Sequence, residues 1–175
     1  MKIVSSTLTR AVGPALAAGL VVTALATPAA AQTPGSTALR IFGNVILSAR
    51  ANAVNVVTAS VAGSNIRLTD TSGVAAGPGC RQVNPTTVDC PLPATQLAIG
   101  LGDLGDSFNG QGLSVRTVVD AGTGADTVRT GSGNDTIGVN DGTSGDTVTC
   151  NGGTDTVFRD AGDTIPVGAA CERVF

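Results

Sequence analysis

The sequence contains no His, Trp or Tyr, one Met, and a single Lys at position 2. Without His, a His-dependent catalytic triad and a His-ligated zinc or haem are excluded. With Lys confined to position 2, so are a Schiff-base lysine and a P-loop in the body of the chain. One Glu and 2% aromatic residues leave too few helix formers and bulky core formers for an ordinary α or α/β domain. These absences remove most enzyme classes and lead us to expect no enzyme. What the chain has instead is Gly, 24 of 175 residues, together with Asp, Thr and Val, a composition of tight turns and short strands.

Lys2 and Arg10 flank the start of an apolar run over 11–26, and Ala29, Ala30 and Ala31 supply the small residues that a signal peptidase requires. The pattern predicts a cleaved secretory signal over 1–31 and a secreted, extracellular product. The run is shorter than the ~20 residues of a spanning helix, and no later segment is long and apolar enough to hold the product in a membrane. Residues 32–175 carry eight Arg against 13 acids, 12 of them Asp, a net charge of −5. That sign argues against nucleic acid and anionic lipid, which attract basic patches, and makes cations the natural partners.

An exported chain can keep disulfides, and Cys80, Cys90, Cys150 and Cys171 permit three pairings. Cys80 with Cys90 and Cys150 with Cys171 is the expected set, because it closes the shortest loops and Gly77, Pro78, Gly79 and Pro91 frame the first pair as a tight excursion. There is no Cys-x-x-Cys spacing, which argues against both a zinc site and a redox-active dithiol.

Residues 32–37 read as a loose small-residue linker and 38–100 as an irregular amino-terminal β section. Within it Val45, Leu47, Ala49, Asn55, Val57, Ala59 and Val61 fall at alternate positions, a strand period interrupted by a turn near Ala51 to Ala53. Ile66 and Leu68 resume the alternation after Gly63, Ser64 and Asn65, and Asp70 to Gly73 end it. No stretch carries a helical period. From 101 to 175 the chain turns rich in Gly and Asp.

That last section is an internal repeat. Asp126, Asp135, Asp146, Asp155 and Asp163 are each followed by Thr and then Val or Ile, at spacings of 9, 11, 9 and 8, with Asp106, Ser107 and Phe108 as a degenerate upstream copy. The apolar members, extended back to Ile99, form the series Ile99, Phe108, Val119, Val128, Ile137, Val148, Val157 and Ile165. Units this short cannot bury a face alone, so the chain must coil and stack one repeat on another. The expected fold is all-β, a right-handed parallel β-helix or β-roll solenoid, with two repeats to a turn and strands pairing at ~4.8 Å.

Ahead of each Asp lies a Gly-rich turn, clearest at Gly122 and Gly124 before Asp126 and at Gly131 and Gly133 before Asp135. Gly permits the tight loop, and stacking two loops brings carboxylates and carbonyls to one gap, a hard oxygen-only anionic cage that suits Ca²⁺. The implied pairs are Asp106 with Asp126, Asp126 with Asp146 and Asp135 with Asp155, each 20 apart, and Asp146 with Asp163 at 17. Over 101–165 these residues resemble the RTX family, the hemolysin-type repeats-in-toxin β-roll with the pattern Gly-Gly-x-Gly-x-Asp-x-apolar-x. The resemblance implies carbonyl ligands from Gly122, Gly124, Gly131 and Gly133 and carboxylate ligands from Asp126, Asp135, Asp146 and Asp155. The first Gly of the pattern is replaced by Ala121, Thr130, Asp141 and Cys150, and the third copy has Ser144 where Gly is expected. The chain after residue 31 is also similar to small exported calcium-binding repeat proteins of actinobacteria.

The function expected is therefore a secreted, non-catalytic calcium-binding module. Two alternatives compete. One is a small calcium-dependent β-helix polysaccharide lyase with Arg116 or Arg129 as base, opposed by the small size of the chain. The other is a metal-free solenoid in which Asp caps turns through its own backbone, used for adhesion to cell-surface or extracellular polysaccharide. Thr127, Thr136, Thr147, Thr156 and Thr164 form an outward hydroxyl row, and Phe42, Phe108, Phe158 and Phe175 read as core or end-cap residues.

Overall fold

Alternating apolar residues set strands from Ser36 onward. The computed structural model describes residues 33–175, and the expected signal segment 1–31 lies outside the described residues. Strands β1 (Ser36–Ile41) and β2 (Asn44–Ala49) form an antiparallel hairpin across Phe42 and Gly43, whose φ values of 49° and 83° suit a two-residue turn. After the interruption expected near Ala51 to Ala53, β3 (Val56–Ala62) and β4 (Asn65–Asp70) form a second hairpin. β5 (Val74–Ala76) pairs with β1, while β7 (Thr87–Pro91) pairs with β4 and with β6 (Arg81–Asn84). Cys80 is bonded to Cys90, with Cα atoms 4.3 Å apart, so the expected local pairing holds.

The section expected as irregular is mainly antiparallel hairpins, with a parallel β1–β5 pair and a register shift between β6 and β7, and β1 takes in part of the expected linker. Ser36 is buried there, its hydroxyl donating to Asp70 Oδ2 at 2.7 Å.

Beyond this the chain passes back and forth between two sheets. β8 (Gln96–Gly100), β10 (Thr117–Asp120), β12 (Thr136–Val139), β14 (Thr156–Arg159) and β15 (Arg173–Val174) pair in parallel in one sheet. β9 (Ser107–Asn109), β11 (Thr127–Arg129) and β13 (Thr147–Thr149) do so in the other. The hairpins begin both stacks, β2 pairing in parallel with β8 and β3 with β9. The result is all-β, a mixed eight-stranded and a mixed seven-stranded sheet, with no helix among the described residues. The antiparallel hairpins cover one end of each parallel stack, where an open edge would otherwise invite further pairing.

Register follows the repeat. Val119, Ile137 and Val157 lie side by side in one sheet, and Phe108, Val128 and Val148 in the other. The apolar series read from the sequence is therefore two rows, one per sheet, facing a single hydrophobic cluster. Ile165, expected as its last member, is only partly buried and packs on the cluster's margin. Each fully buried Val, Leu or Ile contributes about 2 kcal/mol, and with Phe108 the only aromatic residue in this core, the stack depends on many small increments.

Candidate metal centre

Each repeated Asp is the last residue before a strand or, for Asp163, before an isolated bridge at Thr164, so parallel stacking puts Asp over Asp. The side chain is turned inward and reaches back one rung. Asp126 Oδ1 accepts the backbone N–H of Asp106 at 2.7 Å, and Asp146 Oδ1 that of Asp126 at 2.7 Å. Asp106 Oδ1 accepts from Asn55 at 2.8 Å, and Asp163 Oδ1 accepts from Asp146 at 3.2 Å. A second ladder runs along the other sheet. There Asp135 Oδ1 accepts from Thr117 and Asp155 Oδ1 from Asp135, each at 2.7 Å, and Glu172 Oε2 accepts from Asp155 at 2.8 Å.

All four pairs expected from the spacing are thus neighbours, Asp146 with Asp163 included. Three members of the ladders were not expected. Asn55 and Thr117, both fully buried, stand in the Asp register position at the first rung of each ladder. Glu172 occupies it at the last rung, held there by the Cys150–Cys171 disulfide, whose Cα atoms are 5.2 Å apart. A signal for Glu172 existed in the sequence: it is the sole Glu, and it follows Asp155 by 17, the step that separates Asp146 from Asp163. In the loop-entropy account that disulfide stabilises by about 3 kcal/mol.

The inward turn leaves a debt of solvation. Asp106, Asp126, Asp135, Asp146 and Asp155 are 0–4% exposed, and in every one Oδ2 is buried with no hydrogen-bond partner. Asp163 differs, since its Oδ2 accepts the N–H of Asp160 at 2.8 Å. Burial raises the pKa of all five above the ordinary carboxylate value, against the lowering effect of the accepted N–H bonds. Asp126 reaches about 6, pushed first by burial and then by Asp146, Asp106 and Asp141. Asp155 also reaches about 6, from burial and then Asp135 and Glu172.

The glycines explain how rungs approach so closely. A Cβ on Gly122 would fall on the carbonyl oxygen of Gly102, and one on Gly124 on that of Leu104, with φ values of +80° and +140° besides. We expect Gly124→Ala to lower stability by about 2–4 kcal/mol, from overpacking and a disfavoured backbone, measurable as the urea midpoint at unchanged slope. Of the glycine carbonyls expected as ligands, Gly131 O accepts the N–H of Gly152 at 3.1 Å and Gly124 O accepts Thr143 Oγ1 at 3.2 Å. Each keeps a second lone pair. No group of three or more His, Cys, Asp or Glu side chains placed to hold a metal occurs among the described residues; any cation site is built from stacked carboxylates and carbonyls.

The two arginines of the lyase reading lie on different sheets. Arg116 lines a groove with Asp135 and Arg173, whereas Arg129 lines another with Val56, Thr58 and Asn109. Compared with protein-family models, curated proteins and solved structures, the chain matches none.

Proposed function

We propose that the chain is an exported, non-catalytic calcium-binding protein built as a parallel β-roll, each turn contributing one strand to each sheet. The observation that carries this reading is the set of five buried carboxylate oxygens without partners, stacked rung over rung. An isolated anionic oxygen in that setting is costly, and a hard divalent cation between rungs offsets the cost with ligands of the right kind. Asp106, Asp126 and Asp146 would hold cations along one ladder and Asp135 and Asp155 along the other, with carbonyls of Gly122, Gly124, Gly131 and Gly133 available beside them. The cation supplies charge neutralisation and cross-links successive turns, so binding is folding energy. The two disulfides fit an oxidising compartment, and the signal pattern over 1–31 supports export. No helix of the described residues is long and apolar enough to cross a membrane.

A second reading, a metal-free solenoid, draws on the other carboxylate oxygen. Every ladder Asp already secures a rung through Oδ1, and the raised pKa of Asp126 and Asp155 lets these groups hold a proton, and so stay neutral, in mildly acidic solution below about 6. Far-UV circular dichroism and melting of the secreted protein, first in chelator and then with calcium added to millimolar levels, separate the two. Saturating calcium is expected to raise Tm by on the order of 10 °C. An unchanged β signal and Tm across that titration leave the metal-free reading standing.

A further inference from the structure

The outward face of the eight-stranded sheet carries a second set of groups that the aspartate ladders do not use. Thr136, Thr156 and Arg173 stand side by side across β12, β14 and β15. Arg116, just before β10, leans onto the same row, its Nη2 3.5 Å from Thr136 Oγ1. These four residues line an open groove of 510 Å³. Neither arginine is in an ion pair, since both ion pairs among the described residues are made to Asp89, by Arg67 and Arg81. Arg116 lies near enough to Asp135 that, against the larger effect of burial, its charge lowers that carboxyl's pKa. The acids nearest this row are partly engaged, since Asp135 and Glu172 each accept a backbone N–H within their ladder.

Two residues further along the same strands, and so on the same face, comes an aromatic row. Phe158 lies opposite Gly138, and Phe175 stacks on Phe158 with ring centroids 5.5 Å apart. Both rings are open to solvent, 42% and 69% exposed, so neither is a core residue, and together at the last strands of the sheet they present an aromatic surface. A Cβ on Gly138 would meet only the side-chain oxygen of Asn140 at 3.7 Å and the carbonyl oxygen of Val119 at 3.8 Å, both ordinary contacts, so the floor beside the rings is flat. In a chain with four Phe and no Trp or Tyr, placing two exposed rings together beside two unpaired guanidinia is a specific arrangement.

We propose that this face binds a polysaccharide of uronate residues, laid across β10, β12, β14 and β15. The guanidinia of Arg116 and Arg173 take sugar carboxylates, a geometry suited to bidentate bonds. The Thr136 and Thr156 hydroxyls meet sugar hydroxyls, and a pyranose ring rests on the Phe158 and Phe175 platform. The distance fits: the four strands are consecutive neighbours, so the row spans roughly 14 Å at ~4.8 Å per step, near the reach of three sugars in an extended chain. Asp120, exposed at the far end of the aromatic row, repels carboxylates there and limits the register in which such a polymer lies. The inference does not rest on calcium.

Affinity electrophoresis of the secreted chain through polygalacturonate, in chelator, tests it, with fully methyl-esterified polymer and a sulfated glycan as comparison matrices. The wild type should be retarded by polygalacturonate, weakly by the sulfated polymer and not by the ester. Arg116→Gln and Arg173→Gln should each weaken binding about tenfold, and Phe158→Ala about fivefold. Arg129→Gln, on the other sheet, should leave it unchanged. All four side chains point outward, and circular dichroism verifies that each variant folds. Equal retardation by the ester, equal or tighter binding of the sulfated polymer, or loss no greater in Arg116→Gln and Arg173→Gln than in Arg129→Gln overturns the proposal. So does retardation that appears only when calcium is restored and is insensitive to both arginines.

Discussion

Asp126→Asn is expected to remove most of the calcium-dependent stabilisation contributed by its ladder while leaving the calcium-free fold standing. Asp126 is the middle rung, hydrogen-bonded through Oδ1 to the N–H of Asp106 and itself donating its N–H to Asp146. Asn keeps the oxygen that accepts the first bond and replaces the unpartnered Oδ2 with an amide nitrogen, which can neither ligate a hard cation nor carry charge. In chelator at neutral pH the variant should melt no lower than the wild type, because a buried charge has gone. With calcium its rise in Tm should fall to about half, the two gaps that Asp126 shares being lost and the Asp135 and Asp155 ladder retained. Asp126→Ala should behave differently, losing about 1–3 kcal/mol with or without calcium, because it leaves the Asp106 N–H buried and unpaired. Calorimetry of the three proteins in chelator and in calcium decides the matter; an Asn variant with the wild-type calcium increment would falsify the role assigned to this ladder.

Without calcium, stability should rise on acidification from neutral pH, the reverse of ordinary acid denaturation. Asp126 and Asp155 titrate near 6 in the folded protein, against 3.8 when unfolded. Between those values the folded chain holds protons that the unfolded chain releases, so folding takes up protons and stability falls as pH increases through the window. Below 3.8 both states are protonated and the favourable contribution is complete; above about 6 both are ionised and it is gone. Asp89 runs the other way. A hydrogen bond from Arg67 lowers its pKa against the opposing effect of burial, so its contribution is present above 3.8 and fades as pH drops further. The chelated protein should therefore be most stable near pH 4–5 and melt on the order of 5 °C lower at pH 7.5. Calcium should flatten the profile by stabilising the ionised form at neutral pH. A chelated protein whose Tm climbs steadily from pH 4.5 to 7.5 contradicts the raised values.

The repeat was legible because parallel stacking is a simple map. When one turn takes 20 residues, Asp126 must stand over Asp106 and Val128 over Phe108, whatever the turn looks like. The apolar series and the three aspartate pairs 20 apart follow from spacing of that kind, whereas the disulfides follow from closing the shortest loops. Less could be read where the step departs from 20. Arg116 and Arg173 are 57 apart, and the shorter steps from β10 to β12 and from β14 to β15 put Val118 in line with Arg173, so Arg116, two residues earlier, reaches that row only through its side chain. The amino-terminal hairpins were harder still, since β2 reaches β8 across about fifty residues, and no local pattern encodes a partner at that range. Phe42, expected in the core or at an end cap, stands 98% exposed at a hairpin tip with φ 49°, a position set by the turn between β1 and β2.

The sequence by itself determined that this protein is built from stacked short strands and that its aspartates repeat in step with them, because periodicity survives any folding of the turns. Tertiary structure alone decided what each carboxylate does. One methylene on an inward-turned residue lets Oδ1 reach the N–H of the preceding rung, and once it does, Oδ2 is sealed from water with nothing to bond. A row of acids that reads as a charged edge in the sequence is, in the fold, five buried carboxylate oxygens without a hydrogen-bond partner.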